Sequence, residues 1–228
     1  MTDFNSKIMF ATMKSKPNYN CFPDVETADD DGFLGYSLDI RTEMLLEAYT
    51  RAIFPWPVDE KHVLWFSPPQ RAVLFFDKFR IPETTLRELK KKNFTFSVNQ
   101  HFEAVIKNCA ASKRKDGGTW ITPKMIEAYT KFHQQGYAWS FEVLDADGKL
   151  CGGLYGVLIG RFFAGESMFY TASGASKFAL INTVDWLQKN RDSDWLDSQV
   201  SNPFMQSFGT VEIPRREYTK LLKQTLTT

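Results

Sequence analysis

Apolar residues recur at helical spacing in the first quarter of the chain. The stripe around Ala48 predicts a helix that Thr42 caps and that Pro55 ends. Residues 54–70 then hold four prolines among aromatic side chains, so we expect a stiff loop region there.

A domain boundary near residue 70 divides the pattern into a small N-terminal domain (1–70) and a larger domain (71–228). In the larger domain, predicted strands alternate with predicted helices. The strands cover 71–76, 95–98, 139–143, 150–159, 162–169, 195–200 and 211–213. Two helices are predicted at 83–92 and 100–111, and a third runs from the N-cap Thr122 to a stop at Gly136. A fourth lies around 180–187, a short fifth ends near Gly209, and a last one begins at Arg215. An antiparallel meander that runs into strand–helix–strand units predicts a mixed sheet, so the fold class is α/β (mixed α+β).

Composition limits what this fold can bind. The chain has 228 residues, of which 43% are hydrophobic and 24% are charged, so a sizeable core is possible. Its formal net charge of +1 gives no overall field that attracts nucleic acid, so a polyanion would need a local basic patch. The candidates for such a patch are Arg87, Lys90, Lys91, Lys92, Lys113 and Arg114. A solvated helix face explains the same residues equally well.

Cysteine and histidine usage favours a reducing compartment and gives no sign of a metal. The three cysteines are odd in number and far apart, which is typical of free thiols. Residues 1–20 have no continuous apolar run, and the longest apolar stretch (154–159) is too short to span a bilayer. We therefore expect a cytoplasmic protein. The three histidines lack ligand spacing, so we predict no metal site.

Three polar side chains interrupt two predicted strands that are otherwise mostly apolar. Asp197 and Gln199 lie two apart on the predicted strand 195–200, so they should share one face of the sheet. Glu166 lies among aromatic residues on the predicted strand 162–169. Each acid has a plain structural explanation, namely a satisfied Asp at a strand end and a salt-bridged Glu. Together they place convergent polar groups in an apolar pocket, which is typical of a binding or active site.

Aromatic residues in loop-like segments extend this hypothesis. Trp56 and Trp120 lie outside predicted helices and strands, where tryptophan somewhat more often walls a pocket than fills a core. No P-loop and no GxGxxG motif is present, so nucleotide folds that use those loops are unsupported.

Seven motifs follow one another between about residues 32 and 221. They are AYTRAIFPW (48–56), LWFSPPQRAVL (64–74), TWIT (119–122), GGLYGV (152–157), GESMF (165–169), ASK (175–177) and EIPRR (212–216). In this order the chain resembles the leucyl/phenylalanyl-tRNA–protein transferase family. Several long motifs in order are far more specific than any one of them alone.

The resemblance implies a small N-terminal domain packed on a GNAT-like (acyl-CoA N-acyltransferase-like) α/β domain. It also implies an aminoacyltransferase that moves leucine or phenylalanine, and also methionine, from aminoacyl-tRNA to the N-terminal Arg or Lys of a protein. That transfer marks the acceptor protein for degradation. The expected partners are therefore charged tRNA and acceptor proteins, with no cofactor and no membrane, and we expect a monomer.

By motif, the resemblance assigns roles to ten residues. Asp197, Gln199 and Glu166 match catalytic and pocket groups, and Trp56 and Trp120 match aromatic residues near the aminoacyl adenosine. The residues assigned to the substrate pocket are Leu154, Phe163, Gly165, Met168 and Leu196. The acceptor amine must be deprotonated and aimed at an activated ester, and which group is the formal base stays open.

The chain departs from the family at several positions. Ser198 stands between Asp197 and Gln199 where the family usually has Cys, Trp139 replaces a histidine, and residues 201–210 differ. The acceptor preference therefore stays open. Two other functions remain. The absence of the usual glycine-rich loop disfavours an acetyl-CoA-dependent GNAT N-acetyltransferase, and the retained polar groups disfavour a non-catalytic tRNA-binding relative.

Overall fold

The computed structural model describes residues 21–59, 61–112 and 119–227. Its strands are β1 (Phe33–Ser37), β2 (Phe54–Pro57), β3 (Val63–Phe66), β4 (Gln70–Phe75), β5 (Thr95–Val98), β6 (Ala138–Leu144), β7 (Leu150–Ile159), β8 (Phe162–Tyr170), β9 (Trp195–Asp197) and β10 (Val211–Pro214). Its helices are α1 (Thr42–Thr50), α2 (Glu83–Leu89), α3 (Phe102–Ala111), α4 (Pro123–Gln134), α5 (Ala175–Arg191), α6 (Pro203–Ser207) and α7 (Arg215–Thr227).

A small antiparallel sheet in the order β1-β3-β2 occupies the region that the prolines led us to expect as a loop. That expectation was wrong for β2 and β3. Pro55 and Pro57 face Trp65 and Val63 across the pair. Proline lacks an N–H, but β2 is an edge strand with one partner, and an edge position tolerates that loss.

The predicted cap of α1 was also wrong by one position. Arg41 is the N-cap and makes no side-chain cap bond, whereas Thr42 is the first helical residue. The Thr42 hydroxyl instead accepts a hydrogen bond from Gln135, at the end of α4. The helix ends at Thr50, before Pro55 is reached.

The large sheet confirms the mixed α/β fold. Its order is β10-β4-β9-β8-β7-β6-β5, in which β5 to β8 form the expected antiparallel meander. Helix α5 then crosses over to β9, which pairs in parallel with β8. The N-cap of α4 is Thr122, as predicted, and its side chain accepts the N–H of Met125.

Strand β9 is shorter than predicted. It stops at Asp197, and Gln199 has a left-handed φ of 55°. The Asp197 carboxylate accepts the backbone N–H of Gln199 at 2.9 Å, and a local turn of this kind competes with extended structure. Asp197 and Gln199 therefore do not share a strand face.

Both faces of the large sheet are buried. One apolar cluster joins it to the small sheet, α1, α3 and α4 and includes Tyr49, Trp65 and Trp195. The second cluster packs the other face against α5 and includes Phe163 and Leu196. The predicted boundary at residue 70 falls where β4 begins, but the first cluster continues across it. The division into two domains stays a prediction.

A buried ion pair joins β4 to the end of β9. Arg71 is 2% exposed, Asp197 is fully buried, and two hydrogen bonds of 2.9 and 2.7 Å connect them. The guanidinium lies between the rings of Phe54 and Tyr218, and the Tyr218 hydroxyl donates to the same carboxylate at 2.8 Å. Burial alone would lower the pKa of Arg71, but the charge and hydrogen bonds of Asp197, together with Tyr218 and Tyr49, outweigh burial and raise that pKa.

Candidate active site

Two neighbouring cavities open beside the ends of β8 and β9. The larger has a volume of about 620 Å³ and lies between β8, the face of α5 and the segment that follows β9. All five residues that the resemblance assigned to the substrate pocket line it: Leu154, Phe163, Gly165, Met168 and Leu196. The structure therefore brings together residues from three strands that lie far apart in the sequence.

The smaller cavity, of about 240 Å³, is walled by the two tryptophans that the sequence singled out. The rings of Trp56 and Trp120 stack on each other, with centroids 5.5 Å apart and planes 17° apart. Trp56 is 40% exposed, which is unusual for so large an apolar side chain. Glu166, Ser198, Gln199 and Asn202 line both cavities and so form the boundary between them.

A β-bulge places Glu166 at this boundary. In the β7–β8 pair, Tyr155 faces Ser167 and Gly156 faces Gly165, so Glu166 is the extra residue on β8. A bulge redirects the side chain of its extra residue and shifts the in–out alternation of the strand by one position beyond it. Sequence periodicity could not have shown this, because the alternation on β8 changes phase at the bulge.

Gln199 completes the pair of polar groups. Its left-handed backbone, held by Asp197, sends the side chain towards β8, where its Nε2 donates to Glu166 Oε1 at 2.8 Å. Because the amide nitrogen is engaged in this way, the amide oxygen of Gln199 remains as an acceptor at the boundary between the cavities.

Glu166 is half-buried between the two cavities, and hydroxyl donors surround its carboxyl. Burial, together with the charge of Asp197, raises its pKa to about 7, although Tyr49, Tyr129 and Arg71 act in the opposite direction. The Tyr129 hydroxyl donates to Glu166 Oε2 at 3.2 Å, and the hydroxyls of Tyr49 and Tyr129 are hydrogen-bonded to each other. The carboxyl therefore changes charge close to neutral pH.

Asp197 lies behind the site and not in it. It lines neither of these cavities, and its oxygens are taken by Arg71, Tyr218 and the backbone of Gln199. The contacts of Asp197 therefore fit the structural explanation given for it above, a hydrogen-bonded acid at the end of a strand. Its influence on a reaction would pass through Gln199.

Four of the basic residues predicted to contact tRNA, all on or just after α2, line neither of the two cavities. Arg87 is ion-paired with Glu83 on the exposed face of α2, and Lys90, Lys91 and Lys92 are exposed just after that helix. Lys113 and Arg114 lie outside the described residues.

Several residues of the site were not found from the sequence. Arg71 and Tyr218 hold Asp197, while Tyr49 and Tyr129 hold Glu166. In the sequence, each of these residues is explained by ordinary core packing or by surface charge. Only the folded chain brings them together. Within residues 21–59, 61–112 and 119–227, no group of three or more metal-ligating side chains is present, and no helix is long and apolar enough to cross a membrane.

Known proteins are similar in sequence to this chain over most of its length. A model of the leucyl/phenylalanyl-tRNA protein transferase family matches residues 73–223, and a model of its N-terminal domain matches residues 39–69. The leucyl/phenylalanyl-tRNA–protein transferase of Maridesulfovibrio salexigens is 40% identical over 206 residues, which cover 90% of this chain and 85% of that protein. The protein of the same name from Lawsonia intracellularis is 42% identical over 221 residues, covering 96% and 95%.

The fold and the site define an α/β protein with a largely apolar cavity beside the hydrogen-bonded pair of Glu166 and Gln199. The chain belongs to the leucyl/phenylalanyl-tRNA–protein transferase family. This confirms the resemblance seen in its motifs. The solved structure of FemX is similar with a TM-score of 0.47 and 10% identity, over 84% of this chain and 74% of that one. That likeness is too weak to carry an argument, so the GNAT-like character of residues 71–228 stays a prediction.

The raised pKa of Glu166 predicts a specific dependence of stability on pH. An acid whose pKa rises on folding, here from 4.5 to about 7, stabilises the native state below its unfolded pKa. It loses that contribution as the pH rises through the folded value. The wild type should therefore lose free energy of unfolding relative to Glu166→Gln between about pH 5 and about pH 8, measured by urea unfolding at each pH. The exposed Glu103→Gln variant serves as the control, and a wild-type-to-Glu166→Gln difference that stays constant with pH would contradict the assignment.

Proposed function

We propose that this protein transfers leucine or phenylalanine, and also methionine, from aminoacyl-tRNA to the N-terminal Arg or Lys of acceptor proteins. The observation that carries the proposal is the hydrogen bond between Gln199 and Glu166 where an apolar cavity meets an aromatic one. Such a junction suits an aminoacyl ester, whose side chain and adenosine lie on opposite sides of the reacting carbonyl. The name of both relatives describes the same kind of transfer.

The larger cavity would hold the side chain of the transferred amino acid. Leu154, Phe163 and Leu196 are fixed walls, and the flexible thioether side chain of Met168 can adapt to different shapes. Leucine, phenylalanine and methionine are unbranched at Cβ and can turn into such a slot. Isoleucine and valine carry a second Cβ substituent, which would collide at its entrance.

The smaller cavity would hold the terminal adenosine of the tRNA. Trp56 and Trp120 already stack on each other, so a base would stack on the outer, exposed face of Trp56. Stacking of this kind recognises that a base is present but not which base it is. That suits the terminal adenosine, which all tRNAs share.

The reaction forms the amide C–N bond and breaks the ester C–O bond. The acceptor α-amine attacks the carbonyl, gives up a proton, and the departing 3′-oxygen takes up a proton. In our proposal the free amide oxygen of Gln199 accepts a hydrogen bond from the amine and aims it at the carbonyl. Glu166, with its pKa near 7, holds Gln199 in place, and Asp197 is a positioning residue that fixes the Gln199 backbone.

The body of the tRNA would contact the basic residues of α2. Glu88 on that helix is bound by Ser173 and Lys177, so α2 lies beside the start of α5, the helix that lines the larger cavity. This brings Lys90, Lys91 and Lys92 to the same side of the molecule as that helix. Arg87 lies on α2 itself, and Lys113 and Arg114, outside the described residues, are the other members of the patch predicted from the sequence.

The acceptors, compartment and assembly state belong to the same proposal. We infer that acceptor proteins with N-terminal Arg or Lys are marked for degradation in the cytoplasm and that the enzyme acts as a monomer. Cys21, Cys109 and Cys151 are free thiols, which supports a reducing compartment. The strong sequence match to aminoacyltransferases favours this reading over an acetyl-CoA-dependent enzyme.

We expect Gln199→Ala to lower turnover by at least about tenfold, a loss of about 1.4 kcal/mol of transition-state stabilisation. The readout is transfer of radiolabelled leucine or phenylalanine from charged tRNA to an Arg- or Lys-initiated peptide. Gln100→Ala, an exposed glutamine away from both cavities, is the matched control. Near-normal transfer by a folded Gln199→Ala protein would remove Gln199 from the mechanism.

A competition experiment separates the two enzyme classes. An aminoacyl-adenosine analogue should compete with charged tRNA, whereas competition by acetyl-CoA would favour the acetyltransferase.

Replacement of Lys90, Lys91 and Lys92 together by Glu should weaken tRNA binding and flatten its salt dependence. Each lost phosphate contact removes about 0.7–0.9 from the slope of log K against log salt, so three contacts would remove about 2–3. The control is the same charge reversal at Lys107, Lys131 and Lys189, which are ion-paired on other helices. A slope unchanged by the first triple variant would place the tRNA elsewhere.

A further inference from the structure

Thr183 stands out among the residues that line the larger cavity because it is polar and fully buried. It lies on α5, on the face that also carries Ser176 and Leu180, and all three line the cavity. Their spacing along the helix puts Thr183 about two turns beyond Ser176, on the same face. The wall that α5 contributes is therefore partly polar, whereas Phe163, Leu196 and Leu154 make the opposite wall apolar.

The hydroxyl of Thr183 makes no hydrogen bond to any residue that the structure describes. Helical threonines usually bond the carbonyl four residues earlier, and this chain shows that pattern elsewhere. The Thr50 hydroxyl donates to Leu46 at 2.9 Å, and the Thr225 hydroxyl donates to Leu221 at 3.0 Å. Thr183 departs from it, so its hydroxyl is directed away from its own helix carbonyl. A buried hydroxyl without a partner is costly, and such groups are rare unless a ligand or water satisfies them.

We propose that Thr183 is a specificity-determining residue whose hydroxyl binds the polar end of the transferred side chain, so that tyrosine is a substrate beside phenylalanine and leucine. This inference rests on the proposed function and names a further substrate of the same site. Tyrosine combines an aromatic body, which suits Phe163 and Met168, with a terminal hydroxyl that both donates and accepts. It is also unbranched at Cβ, as the entrance of the slot requires.

The size of the cavity is compatible with this substrate. A volume of about 620 Å³ falls in the range of pockets that enclose whole small ligands. A leucine side chain would leave part of it unfilled, and the Thr183 hydroxyl would then lack a partner. An apolar pocket discriminates only weakly against an added hydroxyl, and a hydroxyl partner removes most of the remaining penalty.

The test compares tyrosine and phenylalanine on one tRNA body, charged chemically with either amino acid so that the tRNA contacts are equal. We expect the wild type to transfer tyrosine with a kcat/KM within about tenfold of that for phenylalanine. Thr183→Val, which keeps the shape and removes the hydroxyl, should lower the tyrosine-to-phenylalanine ratio by at least about tenfold while phenylalanine transfer continues. Thr183→Ser, which keeps a hydroxyl, should hold the ratio near the wild-type value and guards against a Val variant that fails to fold.

Thr50→Val is the control, because Thr50 is a helical threonine that lines neither cavity. Transfer of phenylalanine with no tyrosine transfer by the wild type would overturn the inference and leave the proposed function standing. A ratio that Thr183→Val does not change would also overturn it. Failure to transfer any of leucine, phenylalanine and tyrosine would overturn the proposed function, and this inference with it.

Discussion

Arg71 and Asp197 are removed from water where the small sheet, the large sheet and α7 meet. Two charges buried together are stable only if nearly all of their hydrogen-bonding groups are satisfied. Here Tyr218 and the backbone of Gln199 saturate the carboxylate, while Phe54 and Tyr218 enclose the guanidinium. The pair ends β9 at Asp197 and turns the chain, and that turn sends Gln199 towards Glu166. The geometry of the site thus depends on an ion pair that lines neither cavity.

The second constraint is the bulge in β8. One extra residue moves Glu166 out of the regular alternation and places its carboxyl between the larger cavity and the cavity walled by tryptophan. The same bulge lets Met168 join Phe163 on the pocket side. Burial and the nearby charge of Asp197 raise the pKa of the carboxyl to about 7. In the proposed reaction the substrate arrives already activated as an ester, so the main task of the site is to orient the reacting groups.

Strong local signals allowed much of this to be predicted. The cap at Thr122 and the meander from β5 to β8 followed from capping chemistry and from period-two alternation. The failures have a common cause in tertiary structure. Prolines in β2 are tolerated because that strand lies at an edge, and Gln199 leaves the strand because Asp197 accepts its N–H. Arg71 and Asp197 are 126 positions apart in the sequence, so the local pattern of apolar and polar residues could not predict their contact.

The most direct test of this account measures single-turnover transfer by the double variant Arg71→Met/Asp197→Leu. Asp197→Leu alone would leave a buried unpaired charge and cost about 3–5 kcal/mol of stability, whereas replacement of both charges by apolar groups is often neutral. The folded double variant should still bind charged tRNA but should transfer at least about tenfold more slowly, because the Gln199 N–H has lost its acceptor. Transfer at the wild-type rate by that variant would show that the buried pair does not set the geometry of the site.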